Sequence, residues 1–112
     1  MFEPSLKSGL WIKAQLRLCD LKLLSAYVAV RGDPDAGAIL IKLNLLDGTA
    51  KVFTQVSGIN GQRSWMHGTG VHAVAEVEAD AYISRQVNCD PDLWVLEIED
   101  PRGDYKFDAP VL

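Results

Sequence analysis

Short apolar segments joined by two tight-turn dipeptides constrain the fold of this chain more than any other feature. Residues 38–45 place apolar side chains at every second position, which indicates a β-strand with one buried face. Asp47-Gly48 and Asn60-Gly61 separate this segment from two later ones, residues 51–56 and 63–67. Two-residue hairpin turns prefer Asp-Gly and Asn-Gly. The three segments therefore predict consecutive antiparallel strands, a meander.

Three further segments complete the predicted sheet. Residues 10–18 alternate and predict a strand, with an apolar face made of Leu10, Ile12, Ala14, Leu16 and Leu18. Residues 26–30 are β-branched and aromatic, as strands prefer. Residues 93–99 predict a half-buried last strand, since one face carries Trp94, Leu96 and Ile98 and the other Leu93, Val95, Glu97 and Glu99.

The amino-acid composition of the chain changes after Gly70. Residues 71–87 contain no glycine or proline and are rich in alanine and glutamate, which predicts a helix that Asp90-Pro91 ends. A broad apolar stripe at helical spacing consists of Ala75, Ala79, Tyr82, Ile83 and Val87. A second, narrower stripe consists of Val74, Val77 and Ala81. Two stripes indicate a helix covered on two sides, the second by the N-terminal segment or by another subunit.

These elements predict an α+β fold over residues 1–112 as one globular domain. We expect a single antiparallel β-sheet, a meander of about five strands plus the C-terminal strand, with one long helix packed across it. The polar residues 101–112 are expected to lie along the surface or to fray.

The charge balance limits the classes of partner. Acidic residues outnumber basic ones, 15 against 11, and the formal net charge is −4. Nucleic acids and anionic membranes select basic surfaces, so we expect neither as a partner. The sequence shows no signal-peptide pattern and no apolar run long enough to span a bilayer, which predicts a cytoplasmic protein. No Cys-x-x-Cys pair, Walker loop or dinucleotide glycine spacing is present, so we expect no cofactor.

An Asp-Pro-Asp tripeptide occurs twice, in the segments RGDPDAG and CDPDLW. Asp and Pro favour the first two positions of a type I turn, so both segments are explained as turns. The alternative is a divalent-ion site, because Mg²⁺ and Ca²⁺ bind several carboxylate oxygens. Such a site requires the two loops to meet, and its ligands would be Asp33, Asp35, Asp90 and Asp92, with Arg85 meeting an anionic group.

Other candidate residues are more isolated. His67 and His72 are five positions apart and lack the spacing of a helical zinc pair. Trp11 lies on the face of its predicted strand opposite the apolar alternation. If it is exposed there, it is a candidate interface anchor, together with the second helix stripe of Val74, Val77 and Ala81.

The chain resembles a family of short, uncharacterised alphaproteobacterial proteins classed as a domain of unknown function. The resemblance rests on LKSGLWIKAQLR, RGDPDAGAIL and EADAYISRQ running into DPDLWVLEIED, and covers Leu6 to about Gly103. It implies a small cytoplasmic α+β protein, and brings no ligand or reaction. The positions at which such proteins resemble one another are Gly32, Asp33, Ala36, Gly37, Trp65, Arg85, Asp90, Pro91, Asp92 and Trp94.

Two hypotheses of function follow. The leading one is a non-enzymatic protein-interaction domain that binds itself as a homodimer or an unknown protein partner, because no nucleophile stands beside a base in the sequence. The alternative is a small divalent-ion-dependent enzyme or ligand-binding domain that uses the two acidic loops.

Overall fold

A computed structural model describes residues 7–57 and 63–112 of the chain. Its elements are, in chain order, α1 (Ser8–Leu21), β1 (Ala26–Val30), β2 (Ile39–Asn44), β3 (Thr49–Ser57), β4 (Arg63–His67), β5 (Val74–Ala75), α2 (Glu76–Cys89) and β6 (Trp94–Glu99).

All six strands of the described residues join one sheet, in the order β1-β6-β2-β3-β4, with the short β5 paired to β3. The α+β class and the single sheet are thus confirmed. The purely antiparallel arrangement is wrong, because β6 inserts between β1 and β2 and runs parallel to β2. The two strands β2 and β6 are buried along almost their whole length, which is typical of strands covered on both faces.

The two helices cover opposite faces of this sheet. On one face, Trp11 and Ile12 of α1 join a core with Ile41 and Leu96. On the other, Ile83 of α2 joins a second core, whose buried members are Leu40, Ala50, Val52, Ala79, Leu93 and Val95. The prediction of one long helix is therefore wrong, since the described residues hold two helices of equal length.

The missed helix is α1, which the sequence pattern predicted as a strand. Its buried residues are Ser8, Trp11, Ile12, Gln15 and Cys19, which follow helical spacing. Two of them are polar: Ser8 donates to the carbonyl oxygen of Gly37 and Gln15 accepts from Tyr105. The leucines that produced the period-two alternation point largely to the outside. Trp11 is a candidate interface anchor only on the condition that it is exposed, and at 2% exposure it does not meet that condition.

Helix α2 confirms most of the predicted helix. It begins at Glu76, five residues later than expected, because Val74 and Ala75 pair with β3 before the helix starts. Four of the five residues of the broad apolar stripe pack as predicted, with Ala79 and Ile83 buried and Tyr82 and Val87 against them. The fifth, Ala75, lies in β5 and is exposed.

The first predicted hairpin turn, Asp47-Gly48, joins β2 and β3. Gly48 adopts φ +88°, and the Asp47 carboxylate accepts hydrogen bonds from the hydroxyl and the backbone N–H of Thr49, which lower the pKa of Asp47. The second predicted turn, Asn60-Gly61, lies outside the described residues.

The C-terminal tail packs on the sheet, so of the two expectations for it, lying along the surface or fraying, the second is wrong. Tyr105 is buried, Phe107 stacks against Phe53 and Trp65, and Val111 forms a β-bridge with Trp65. The tail therefore covers part of the β4 edge.

Candidate functional site

The two Asp-Pro-Asp loops do meet, and they meet through their backbones. The N–H of Asp33 donates to the carbonyl oxygen of Asp92 (3.0 Å). The indole N–H of Trp94 donates to the carbonyl oxygen of Asp33 (2.7 Å). We call this contact, residues 31–37 against 89–94, the loop junction. It holds the start of β6 beside the start of β2, where the N–H of Trp94 also donates to Ala38 (2.9 Å).

Two glycines make this close approach possible. A Cβ atom on Gly32 would lie 2.2 Å from the carbonyl oxygen of Asp92, and one on Gly37 would lie 2.1 Å from the same oxygen. Neither distance is compatible with a side chain. The start of α1 closes the junction from a third side, since the N–H of Gly9 donates to the carbonyl oxygen of Pro34 (2.8 Å).

The carboxylates of the junction are engaged in local turns. Asp33 Oδ2 accepts from the N–H groups of Asp35 (3.3 Å) and Ala36 (2.8 Å), and Asp90 Oδ1 accepts from the N–H of Asp92 (3.0 Å). Asp35 forms a solvent-exposed ion pair with Lys7 (3.6 Å). This geometry fits the turn interpretation, because Asx turns use the carboxylate in this way.

The divalent-ion hypothesis gains no support from this geometry. Across residues 7–57 and 63–112, no three His, Cys, Asp or Glu side chains are grouped so that they could hold a metal ion. Arg85 is exposed on α2, at a shallow depression that it shares with Glu78 and Tyr82. His67 stacks on Phe53 and His72 is exposed. The ion site at Asp33, Asp35, Asp90 and Asp92 stays a prediction.

A charged cluster that the sequence analysis missed lies under α2. Lys42 of β2 is 3% exposed, and its Nζ lies 2.8 Å from both Glu76 Oε2 and Asp80 Oδ1 and 3.4 Å from Glu97 Oε1. Asn44 Nδ2 donates to Glu76 and Glu97 (3.2 Å each). Burial opposes the ammonium charge, but the hydrogen bonds that Lys42 donates to Asp80 and Glu76 and the negative charge of Glu97 outweigh it, so the pKa of Lys42 is raised. A protonated lysine is a poor nucleophile, and the cluster ties α2 to the sheet.

Alkaline conditions should destabilise the fold, and Tyr105 and Lys42 are the two groups with the largest shifts. Burial raises the pKa of Tyr105, and that of Lys42 is also raised. Above about pH 10 the unfolded chain releases both protons while the folded chain keeps them, so stability is complete below that pH and falls above it. Tyr105→Phe should make the slope above pH 10 shallower by up to about 1.4 kcal/mol per pH unit. Urea unfolding between neutral and alkaline pH measures this slope, and an unchanged slope would contradict the assignment.

A second missed residue is Asp108 in the tail. Its carboxylate accepts from the indole N–H groups of Trp11 (2.8 Å) and Trp65 (3.1 Å). Arg63 NH1 lies 3.3 Å away, and its guanidinium stacks over the Trp11 ring at 5.1 Å. These contacts of Asp108 and Arg63 join α1, β4 and the tail. They give Trp11 and Trp65 a structural role in the core, so the burial of these two tryptophans requires no ligand to explain it.

Helix α1 carries an outward apolar surface opposite the face that it buries. Leu10, Leu18 and Leu21 are 56%, 47% and 65% exposed, and Ala14 between them is exposed as well. We call Leu10, Ala14, Leu18 and Leu21 the leucine face. By comparison, the second stripe of α2 is small: Val77 and Ala81 are exposed, while Val74 packs against the second core.

A groove runs between α1 and the outer edge of β1. It consists of two cavities with Leu16 in the wall of both. One, of about 630 Å³, lies at the start of β1 beside Leu24 and Ala26. The other, of about 390 Å³, lies at its end, beside Val28 and Trp94. We call this depression the β1 groove.

Comparison with known proteins gives a family and a fold. The model of a family described as "Protein of unknown function (DUF1491)" matches residues 6–108, as the resemblance in the sequence predicts. No curated protein matches the chain. Among the described residues, no helix combines the length and the apolar character needed to cross a bilayer.

Solved structures match over most of the chain. A crystal structure of a DUF1491 family protein from Caulobacter crescentus CB15 has 38% sequence identity and a TM-score of 0.84, covering 96% of this chain and all of that one. An NMR structure of a DUF1491 family protein from the same organism has 36% identity and a TM-score of 0.83, covering 98% and 99%. A solution structure from A. tumefaciens has 27% identity and a TM-score of 0.72, covering 85% and 86%.

Proposed function

The chain belongs to the DUF1491 family, and from this premise we propose that it is a cytoplasmic, non-enzymatic protein-interaction domain that pairs with a second copy of itself through the leucine face of α1. The observation that carries the proposal is the exposure of three leucines in one stripe on a helix whose opposite face is already buried. The outward face of a surface helix is normally polar, and a contiguous exposed apolar patch marks an interaction site.

The leucine face is suited to pairing with an identical face. Its residues recur at intervals of four, four and three, the spacing at which side chains line up along one side of a helix. In an antiparallel pair related by a two-fold axis, Leu10 of one copy lies opposite Leu21 of the other, and Ala14 lies opposite Leu18. The small Ala14 near the centre lets the two helices approach closely.

Two of the charges beside the leucine face agree with the same pairing. Lys13 and Asp20 are both exposed and lie on one flank of α1, on either side of the exposed Arg17. In an antiparallel pair the flanks run in opposite directions, which brings Lys13 of each copy toward Asp20 of the other. Opposite charges across an interface fix its register and orientation more than they add affinity.

Leu23, just after α1, contributes little to the stability of a single copy of the chain. It is 93% exposed and has φ 61°, a conformation that costs a non-glycine residue about 1 kcal/mol or more. A leucine that is strained and contacts almost nothing in its own fold supports an apolar contact with another chain near this end of α1.

The test is a lysine substitution in the centre of the leucine face. We expect the chain to have twice its 12.3 kDa mass in light scattering at concentrations above the dissociation constant. Leu18→Lys should raise the dimer dissociation constant by about a hundredfold or more, because two like charges enter one symmetric apolar contact.

Two control variants make this result specific. Val71→Lys places the same charge on another exposed apolar residue, away from both helices, and Val77→Lys places it on the second stripe of α2. Both should leave the dimer intact. A monomeric wild-type chain, or an equal effect of all three substitutions, would contradict the proposal.

A further inference from the structure

We propose that the β1 groove binds an extended segment of another protein, of alternating acidic and apolar residues, which adds as a strand to the outer edge of β1. This surface goes beyond the self-association proposed above. It lies between α1 and the sheet edge and borders the leucine face, since Leu10 and Lys13 line the cavity at the Trp94 end. Leu18 and Leu21 line neither cavity, so substitutions at Leu18 and at Arg31 test the two proposals separately.

The first observation is the condition of the β1 edge. Within residues 7–57 and 63–112, β1 has β6 as its strand neighbour on one side and no strand on the other. Outer strands are usually protected by lysine, proline, an inward-pointing charge, a bulge or a short length. The five-residue sequence of β1, AYVAV, has no lysine, proline or charged residue, and a bulge between Val28 and Val30 interrupts its pairing with β6. The β4 edge, in contrast, is partly covered by the tail.

The second observation is the shape of the space beside this edge. The cavities at the two ends of β1 have apolar side chains in their walls, Leu24 and Ala26 at one end and Val28 and Trp94 at the other. The wall at the Leu24 end also includes the carboxylate of Asp20, so an acidic residue of the partner is expected at the Trp94 end only. A strand that adds to a sheet edge gains main-chain hydrogen bonds and places every second side chain in pockets on one face. The β1 groove offers two such pockets on the α1 side of the sheet.

The third observation is the charge at the Trp94 end. Three cationic side chains, Lys7, Lys13 and Arg31, and one carboxylate, Asp35, line this cavity. The excess is positive although the whole chain carries a net charge of −4. The guanidinium of Arg31 stands over the Trp94 ring at 5.7 Å, which positions a cation at the rim of an apolar pocket. A partner segment with acidic residues between apolar ones complements both features.

The experiment is an NMR titration of the isotope-labelled full chain with a synthetic peptide of alternating glutamate and valine. We expect saturable shifts of the β1 backbone amides and of the Trp94 indole N–H. Arg31→Glu should weaken binding at least tenfold. The matched control Arg102→Glu, an exposed arginine after β6, should change binding less than twofold, and added salt should weaken binding by the wild-type chain.

Two comparisons separate this proposal from its alternatives. A peptide of alternating lysine and valine should bind at least tenfold more weakly; equal binding would overturn the acidic preference. Leu18→Lys should leave binding of the glutamate peptide unchanged, since Leu18 lines neither cavity of the β1 groove. Shifts confined to other parts of the chain, or no saturable shift of the β1 amides, would overturn the assignment of the groove.

Discussion

Replacing Lys42 with alanine is expected to lower the free energy of unfolding by about 3 kcal/mol. The substitution removes a cation that Glu76, Asp80 and Glu97 share, and it leaves the nearly buried Glu97 beside two other carboxylates. Removing one partner of a buried ion pair costs about 3–5 kcal/mol. The lower end applies here because Glu76 and Asp80 are partly exposed to solvent.

Urea unfolding at neutral pH measures this loss. Lys106→Ala, at an exposed lysine of the C-terminal tail, is the matched control and should change stability by about 0.5 kcal/mol or less. Adding Glu97→Gln to Lys42→Ala should restore part of the stability, because it removes one of the uncompensated charges. If Lys42→Ala costs no more than Lys106→Ala, the cluster does not hold α2 to the sheet.

Gly37→Ala is expected to destabilise the fold by about 3 kcal/mol or more, because the new methyl group would overlap the carbonyl oxygen of Asp92. The loop junction would have to open, and with it the hydrogen bond between Asp33 and Asp92. The cause is steric and not conformational, since Gly37 is not among the residues with positive φ.

Gly48→Ala separates these two causes. Gly48 has φ +88° but open space where a Cβ would lie, so its substitution should cost only about 1 kcal/mol. Thermal or urea unfolding of both variants gives the comparison. Equal costs would show that the junction is looser than its distances indicate.

The hairpin signals and the broad stripe of α2 could be predicted from the sequence because each depends on local chemistry. Helix α1 could not, because its buried face includes Ser8 and Gln15, which a count of apolar residues ignores. The exposed leucines of α1 then produced an apolar residue at every second position, which wrongly predicted a strand. Including the polar residues gives the spacing 8, 11, 12, 15 and 19, which follows a helix.

The sheet order was missed for a different reason. Proximity along the chain favours pairing of consecutive strands, yet β6 pairs with β1 and β2. The signal that indicates a central strand is the nearly continuous apolar run LWVLEI, with burial on both faces. Within such runs, a lysine in β2 and a glutamate in β6 stand out, and Lys42 and Glu97 are indeed register partners across the parallel pair.

The candidate site residues also divide into those with a local signal in the sequence and those whose partners come together only in the fold. Asp33 and Asp90 were identified as turn residues or metal ligands, and their hydrogen bonds fit the first interpretation. Asp108 could not be identified, and neither could the partners of Lys42 in α2, because the residues of each cluster are distant in the sequence and meet only in the folded chain. The leucine face was hidden by the strand assignment, since only a helix brings Leu10, Leu18 and Leu21 together.

The most direct test of self-association through α1 is an isotope-filtered NOE measurement on a mixture of labelled and unlabelled chains, which detects contacts between copies only. The antiparallel pairing predicts cross-peaks between the methyl groups of Leu10 in one copy and Leu21 in the other. An absence of cross-peaks between copies at high protein concentration, or cross-peaks that arise from Val77 and Ala81 of α2 instead, would contradict it.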